Sequence, residues 1–295
     1  MKKVTIGICI RHYKKAVMDA FKSVLLQNFP HDQMEIIVVC AANKNEFLSI
    51  IKGYLPKFDI DIKFISDKGK GLGFARQLVV DHAQGEYIAW IDDDIIIKYD
   101  YIKKQTEFLD KNPGVAAVQG FKGIYENSNL VGLLENMSKI PFNLKKEIKF
   151  LSTGGSLYRV KSIKNAGGFD KKIKGSSEDI DLSYRMWKKG WKLCRNGEKW
   201  AHLPRETWKS LWEEYYWYGY GAHFLAHKHR RLINLWQWLP LVAFIIGFKF
   251  SILIYKQTYR KVSFLLPLHS FYKNSAWLIG YVKAHLENYG HPNKL

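Results

Sequence analysis

Tyr87-Ile88-Ala89-Trp90-Ile91-Asp92-Asp93-Asp94 is an uncharged run that ends abruptly in three carboxylates. Its first five residues read as a buried β-strand, Tyr87–Ile91, and the triplet marks where that strand stops. Upstream, Val4–Ile10 is a continuous apolar run, and Ala16–Leu26 carries helical spacing at Val17, Ala20, Phe21 and Val24. Glu35–Cys40 is a second β-branched run, and Ile60–Ile65 alternates weakly. Strands separated by helix-length segments imply βαβ units and a largely parallel sheet. Such sheets hold ligands beyond the carboxyl ends of their strands. The positions to watch are therefore those after Ile10, Cys40, Ile65 and Ile91, and Asp92–Asp94 follows the last of these.

Three carboxylates at one strand end repel each other and raise each other's pKa unless a cation neutralises them. Hard oxygen donors of this kind suit Mg²⁺ or Mn²⁺ held jointly with phosphate oxygens. An acidic strand-to-turn junction is the bland alternative, because Asp favours turns. A second acidic cluster, Ser176-Ser177-Glu178-Asp179-Ile180-Asp181, opens a helical pattern over Asp179–Lys189. Capping and first-turn charges explain one or two of these residues but hardly all. A carboxylate projecting from such a helix start can act as general base on a hydroxyl. Between the clusters lie Thr153-Gly154-Gly155-Ser156 and Gly167-Gly168-Phe169-Asp170, glycine pairs that permit close approach to a ligand or simply tight turns. Gly69-Lys70-Gly71-Leu72-Gly73 fits neither the dinucleotide nor the Walker spacing, so it is weak grounds for a phosphate cradle.

The chain has 295 residues, 47% of them apolar, enough for one large α/β domain with an appendage and too many for global disorder. Lys and Arg total 46 against 27 Asp and Glu, a net charge of +19 with pI near 9.6, which points to a polyanionic neighbour. A nucleic-acid binder would explain the charge but leave both acidic clusters unexplained. Cys9, Cys40 and Cys194 lie far apart without CxxC spacing, so disulfides and zinc ribbons are disfavoured and a reducing compartment fits. The apolar run after Met1-Lys2-Lys3 is too short for a signal peptide.

After about Arg205 the composition changes. Residues 206–295 hold six of the ten tryptophans and nine of the seventeen tyrosines, with eight Lys and three Arg against four Glu. Leu235–Tyr255 and Val262–Val282 are apolar stretches; Pro240 and Lys249 make the first a poor spanning helix, and its aromatic and basic flanks suit a membrane interface. His223 and His227 share a helix face and, with His229, invite a metal reading. Lys228, Arg230 and Arg231 alongside make a cationic interfacial stretch the better one.

The ordered set of motifs resembles the family 2 glycosyltransferases of GT-A fold over residues 4 to about 205. It comprises Glu35-Ile-Ile-Val-Val, Ala75-Arg76, Ala83-Gln-Gly-Glu-Tyr-Ile-Ala-Trp-Ile-Asp92-Asp-Asp94, Gly154-Gly-Ser, Gly167-Gly-Phe-Asp170, Glu178-Asp-Ile-Asp-Leu182 and Trp200-Ala-His202. The resemblance implies an α/β, Rossmann-like nucleotide-diphospho-sugar transferase domain (1–205), while the aromatic-rich, basic composition after it points to a helical, membrane-associated region (206–295). The resemblance also implies sugar transfer from a nucleotide-sugar with inversion; the basic, aromatic C-terminal region points to the cytoplasmic face of the cell membrane and to a glycan or lipid-linked acceptor. Asp92, Asp93 and Asp94 would form the DxD motif that meets ribose and diphosphate, with Asp92, Asp94 and His202 toward Mg²⁺ or Mn²⁺. Asp179 would be the base, with Glu178 beside it. Gly154, Gly155 and Ser156 would lie by the acceptor, and Arg76 near the phosphates. One departure stands out: the family's Val-Asp-Asp-Gly-Ser is here Val39-Cys40-Ala41-Ala42-Asn43, and the opening stretch is Ile10-Arg11-His12-Tyr13. Asp67 would then take over a base contact. A nucleotidyltransferase and an inactive sugar-nucleotide-binding subunit are the rival readings.

Overall fold

A computed structural model describes residues 2–10, 16–40, 59–123, 129–140, 147–203, 205–230 and 232–290. The chain divides into two compact units. The first contains Met1–Gly123, Lys145–Lys174 and Glu178–Leu203; the second contains Ile124–Leu144, Gly175–Ser177 and Pro204–Leu295.

The first unit is built on one sheet. Its strands are β1 (Val4–Ile10), β2 (Met34–Cys40), β3 (Asp61–Ser66), β4 (Tyr87–Trp90), β5 (Ile95–Ile97), β6 (Val115–Lys122), β7 (Glu147–Ile148), β8 (Ser156–Arg159) and β9 (Lys192–His202). Their order is β3-β2-β1-β4-β8-β6-β9-β5, with β7 paired to β9. β3, β2, β1 and β4 run parallel, as the strand–helix alternation predicts, whereas β8 runs antiparallel between β4 and β6. Strands buried on both faces read as near-continuous apolar runs, and all seven residues of β2 are buried, its one charged member, Glu35, accepting from the Thr5 hydroxyl and the Gln84 amide. Its side chains alternate between two cores. Met34, Ile36 and Val38 join Val4, Ile6 and Ile8 of β1 with Phe21 and Val24 of α1 (Ala16–Leu25) on one face. Ile37 and Val39 meet Val79 and Val80 of α2 (Leu72–His82) on the other. Edge strand β3 alternates between exposed and half-buried residues instead. Among the described residues this unit also contains α3 (Tyr101–Lys111), α5 (Val160–Asn165) and α6 (Glu178–Lys188).

The connection from β1 to β2 moves to one side of β1, and the chain crosses to the other side to form β4. This reversal opens a crevice at the carboxyl ends of β1 and β4, the place where open α/β sheets hold ligands. The carboxylate triplet begins two residues after Trp90, at that end.

The second unit is helical: α4 (Leu130–Ser138), α7 (Trp208–Lys228), α8 (Pro240–Thr258) and α9 (Leu266–Leu286). Glu135 of α4 lies almost fully buried at its centre, 2.6 Å from Lys139, 3.0 Å from Lys273 and 2.9 Å from the Tyr215 hydroxyl. Burial alone would drive this carboxylate to its neutral form, but Lys139, Lys273 and His269 outweigh it and hold Glu135 well below the usual range. The first apolar stretch differs from its sequence reading in one respect. Leu235–Trp238 is a short 3₁₀ turn, and the helix begins at Pro240. Proline at the first helical position costs nothing, since the N–H it lacks has no partner inside the helix. Pro240 therefore starts α8 rather than interrupting it.

Candidate active site

Strand β4 delivers Asp92 and Asp93 half-buried and Asp94 buried beyond its end. Arg76, from the buried face of α2, reaches under them. Its Nη2 donates to Asp92 Oδ1 at 3.1 Å, its Nε donates to Glu178 Oε1 at 2.8 Å, and its guanidinium lies 5.2 Å from the Trp90 ring. One buried cation thus ties the strand-end carboxylates to the first turn of α6. Burial opposes its charge, but Asp92, Glu178 and Asp179 favour it, and the net shift is upward, so Arg76 stays protonated. The third nitrogen, Nη1, is buried without a hydrogen-bond partner. An orphaned charged donor of this kind is costly unless an anionic oxygen completes it.

Glu178 and Asp179 sit side by side in the first turn of α6. Asp179 Oδ2 accepts from the Thr153 amide at 3.4 Å, and Oδ1 accepts from the Ile180 amide at 2.8 Å. Burial, and for Glu178 the adjacent Asp179 charge, push both carboxyls above the ordinary carboxylate range despite Arg76. Two adjacent carboxylates share one guanidinium, so the pair holds protons more tightly than isolated acids do.

The glycine loop is locked against the same helix. Leu151 and Ser183 exchange two hydrogen bonds, at 3.2 and 3.0 Å. A Cβ at Gly154 would come 3.0 Å from Asp92 Oδ2; one at Gly155, where φ is +68°, would strike the Trp200 ring at 2.7 Å. Gln119 donates to the Gly154 carbonyl and Tyr101 to that of Gly155. Ser156 spends its hydroxyl on the Ser152 carbonyl, holding the turn from within β8. An alanine at 155 must adopt the left-handed region beside a fixed ring, so Gly155→Ala is expected to cost about 1–3 kcal/mol. Thermal unfolding checks this, and an unchanged Tm would remove the steric assignment.

His202, at the end of β9, places Nε2 3.3 Å from Asp94 Oδ2 and Nδ1 3.1 Å from Lys122 Nζ. The structure brings Asp94 and His202 together, and carboxylate oxygens with an imidazole nitrogen are donors that suit Mn²⁺ or Mg²⁺. Asp67 is buried just past β3, where its Oδ1 accepts from the Gly69 amide at 3.1 Å. Lys122 carried no sequence signal; it ends β6 outside any motif and reaches His202 only through the pairing of β6 with β9.

Other residues serve packing. Leu72 and Gly73 donate their amides to Lys174 and Ile173 carbonyls, so the Gly69–Gly73 loop seals a backbone contact. Asp181 is fully buried in an ion pair with Arg185 at 2.7 Å. Arg159 meets the Leu109 carbonyl and the Tyr87 hydroxyl at the other end of β4. Burial pushes the Cys9 thiol up to about 12, so no thiolate nucleophile is available there. The unusual stretches at Arg11-His12-Tyr13 and Ala41-Ala42-Asn43 lie outside the described residues.

Residues 5–167 match the profile of "Glycosyl transferase family 2", more than half of the chain. The chain belongs to this family. The related profile "Glycosyl transferase family group 2" matches residues 87–280. Among curated relatives, the poly(ribitol-phosphate) beta-N-acetylglucosaminyltransferase TarS of Staphylococcus aureus is 20% identical over 61% of this chain and 32% of its own length. The succinoglycan biosynthesis protein ExoM of Rhizobium meliloti is 24% identical over 68% of this chain and 66% of its own. The poly-beta-1,6-N-acetyl-D-glucosamine synthase of Staphylococcus epidermidis is 25% identical over 71% and 52%. The chain thus spans from a third to two thirds of these relatives. The mannosyltransferase PcManGT from Pyrobaculum calidifontis, solved with GDP-Man and Mn²⁺, superposes with TM-score 0.66 over 96% of this chain and 87% of that one, at 14% identity. Residues 1–349 of S. aureus TarS with UDP superpose with TM-score 0.53 over 97% and 92%, at 13% identity. This family 2 glycosyltransferase therefore has the GT-A fold, with a C-terminal helical region.

Proposed function

We propose that this protein is an inverting glycosyltransferase that moves a sugar from a nucleotide-sugar to an acceptor hydroxyl. The observation that carries the reading is Arg76, which joins Asp92 to Glu178 and keeps Nη1 for an anionic oxygen. Asp179 Oδ2 takes the proton of the acceptor hydroxyl as that oxygen forms its bond to the anomeric carbon from the face opposite the departing diphosphate. The bond between the anomeric carbon and the diphosphate oxygen breaks in the same displacement, so configuration inverts. Glu178 is a positioning residue that holds Arg76 toward the diphosphate. A divalent cation held by Asp92, Asp94 and His202 would supply neutralisation of the diphosphate's charge. Asp67 and Asp93 are assigned to the nucleoside side of the donor, and the Gly154–Ser156 loop to the acceptor side.

A panel of nucleotide-sugars, assayed for nucleoside diphosphate release with and without Mn²⁺, tests the reading. Release of inorganic pyrophosphate from a nucleoside triphosphate would support a nucleotidyltransferase instead. No turnover or hydrolysis of any donor would support an inactive binding subunit.

Two outcomes follow from the site's charges. Asp94→Ala is expected to abolish the metal-dependent part of donor affinity. Equal affinity of wild type and variant across an EDTA titration would overturn the metal assignment. The raised proton affinity of the Glu178–Asp179 pair bears on the pH profile. The base must be ionised to accept a proton, so kcat/KM rises as pH climbs through the raised pKa. The acid limb should therefore lie above about 3.9, the ordinary Asp value. A limb at the ordinary value would mean that a solvated carboxylate, not this pair, is the base.

The acceptor is proposed to be glycan or lipid-linked, reached at the cytoplasmic membrane face. α8 is 19 residues long, and an 18-residue stretch of it has mean hydropathy 1.4 with only 22% buried. Leu241, Ile245, Phe248 and Ile252 are exposed at helical spacing along one side. A soluble packing helix turns such a side inward; one lying on a bilayer turns it out.

A further inference from the structure

The histidines after Ala222 gather differently from the way their sequence spacing suggests. α7 carries His223 and His227 one turn apart on one face, as expected for an i, i+4 pair. The amide of His229 closes the helix end on the Leu225 carbonyl. The third imidazole is His285, from the last turn of α9. His223 Nε2 lies 3.2 Å from His227 Nε2 and 3.3 Å from His285 Nδ1, and the three ring nitrogens all fall within 4.8 Å of one another.

Two further features make this more than a surface cluster. First, His223 is 1% exposed, and its Nδ1 is 2.7 Å from the Tyr289 carbonyl. A carbonyl only accepts, so Nδ1 carries a proton and Nε2 is the nitrogen that faces the other two rings. A backbone carbonyl on the distal nitrogen is the usual way a metal-binding histidine is oriented. Tyr289 is itself held by a stack on Tyr220 at 4.7 Å. Second, the two helices meet backbone to backbone. A Cβ on Gly219 would lie 1.8 Å from the Trp277 carbonyl oxygen, and one on Gly280 2.0 Å from that of Tyr216. These glycine contacts fix the register that brings His285 to His223.

We propose that His223 Nε2, His227 Nε2 and His285 Nδ1 form a binding site for a divalent transition metal of the zinc class. Metal–nitrogen bonds of about 2.0–2.1 Å in a tetrahedron put ligand nitrogens about 3.3–3.4 Å apart, and two of the observed separations are close to this. Three imidazoles select zinc-class ions over Mg²⁺, which prefers hard oxygen. The site is thus chemically distinct from the carboxylate-rich set at Asp92 and Asp94. Bound metal would clamp the end of α7 to the end of α9, with the fourth coordination position left to water or a ligand.

The test uses tag-free, full-length protein carrying Asp94→Asn, so that the carboxylate site does not compete. After chelator treatment it is titrated with Co²⁺, read by visible absorption, and with Zn²⁺, read by metal content. One equivalent per chain, with the intense visible band of four-coordinate cobalt, is expected. His285→Ala, at an exposed position, should weaken binding tenfold or more, and adding His227→Ala should abolish the band. Circular dichroism without metal confirms that these variants fold, and His285→Gln replaces the alanine if they do not. No stoichiometric binding by the parent, or the same cobalt spectrum in parent and variants, would overturn the site and leave a hydrogen-bonded imidazole cluster. The outcome is independent of whether the chain transfers a sugar.

Discussion

Asp179→Asn is expected to bind the nucleotide-sugar donor as the wild type does and to turn over about 10²–10⁴-fold more slowly, the usual contribution of a general base. Asparagine keeps the shape and one oxygen, so the contact with the Ile180 amide at 2.8 Å can persist while the proton acceptor is gone. The donor side is spared because Arg76 is held by Asp92 and Glu178 rather than by Asp179. Glu178→Gln makes the contrast. It weakens the grip on Arg76, so its main effect should be a raised KM for the donor, with the acid limb of the pH profile still present. Stability moves the other way. A carboxyl whose folded-state pKa is raised costs stability once pH exceeds its unfolded value, and that cost is greatest above the raised pKa. Removing the Asp179 charge should therefore leave Tm at neutral pH unchanged or higher, as expected where a site stores charge repulsion for function. If Asp179→Asn kept more than a tenth of wild-type turnover at saturating acceptor, Asp179 would not be the base.

Short-range signals were legible in the sequence, and contacts between distant segments were not. β1, β2 and β4 are apolar runs because both faces of a parallel strand are buried, so composition marks them directly. The start of α6 was equally plain, since Asp and Glu in a first turn leave a local pattern. The position of β8 between β4 and β6 left none, because antiparallel insertion depends on register between distant segments. For the same reason the sequence showed Asp92 and Glu178 as two separate acidic clusters. Only the fold shows that the Arg76 side chain spans them. Lys122 and His285 were invisible for a related cause: each gains its chemistry from a neighbour contributed by another element. The helical unit also gathers Ile124–Leu144 with Pro204–Leu295, a grouping centred on the buried charge of Glu135. A buried carboxylate in an apolar helix reads from sequence as a solvated residue until its lysines are placed.

The second large effect concerns the exposed side of α8. Replacing Leu241, Ile245, Phe248 and Ile252 together by serine is expected to release the protein from anionic liposomes. Leu241 and Ile245 are 70% and 69% exposed, and Phe248 and Ile252 are each 52% exposed. Their removal should cost the folded unit less than it costs bilayer binding, because each is more than half exposed. On a bilayer the same surface is withdrawn from water. At roughly 25 cal/mol per Å² of apolar area, each side chain contributes about 1–2 kcal/mol, and four together about 4–8 kcal/mol. That corresponds to a drop of about 10³-fold or more in partitioning. The basic residues of this region add attraction to anionic lipid of about 1 kcal/mol each near the surface, and salt screens it. The two contributions can therefore be separated. Wild type should sediment with anionic vesicles at low salt and be only partly released at high salt, whereas the serine variant should be released fully. Hydrolysis of a soluble nucleotide-sugar should continue in the variant, because Asp92, Arg76 and Asp179 lie in the other unit. Transfer to a lipid-linked acceptor should fall with vesicle binding. Wild-type protein that stays in the supernatant at low salt, or a serine variant that sediments as well as wild type, would exclude α8 as the membrane-contacting face.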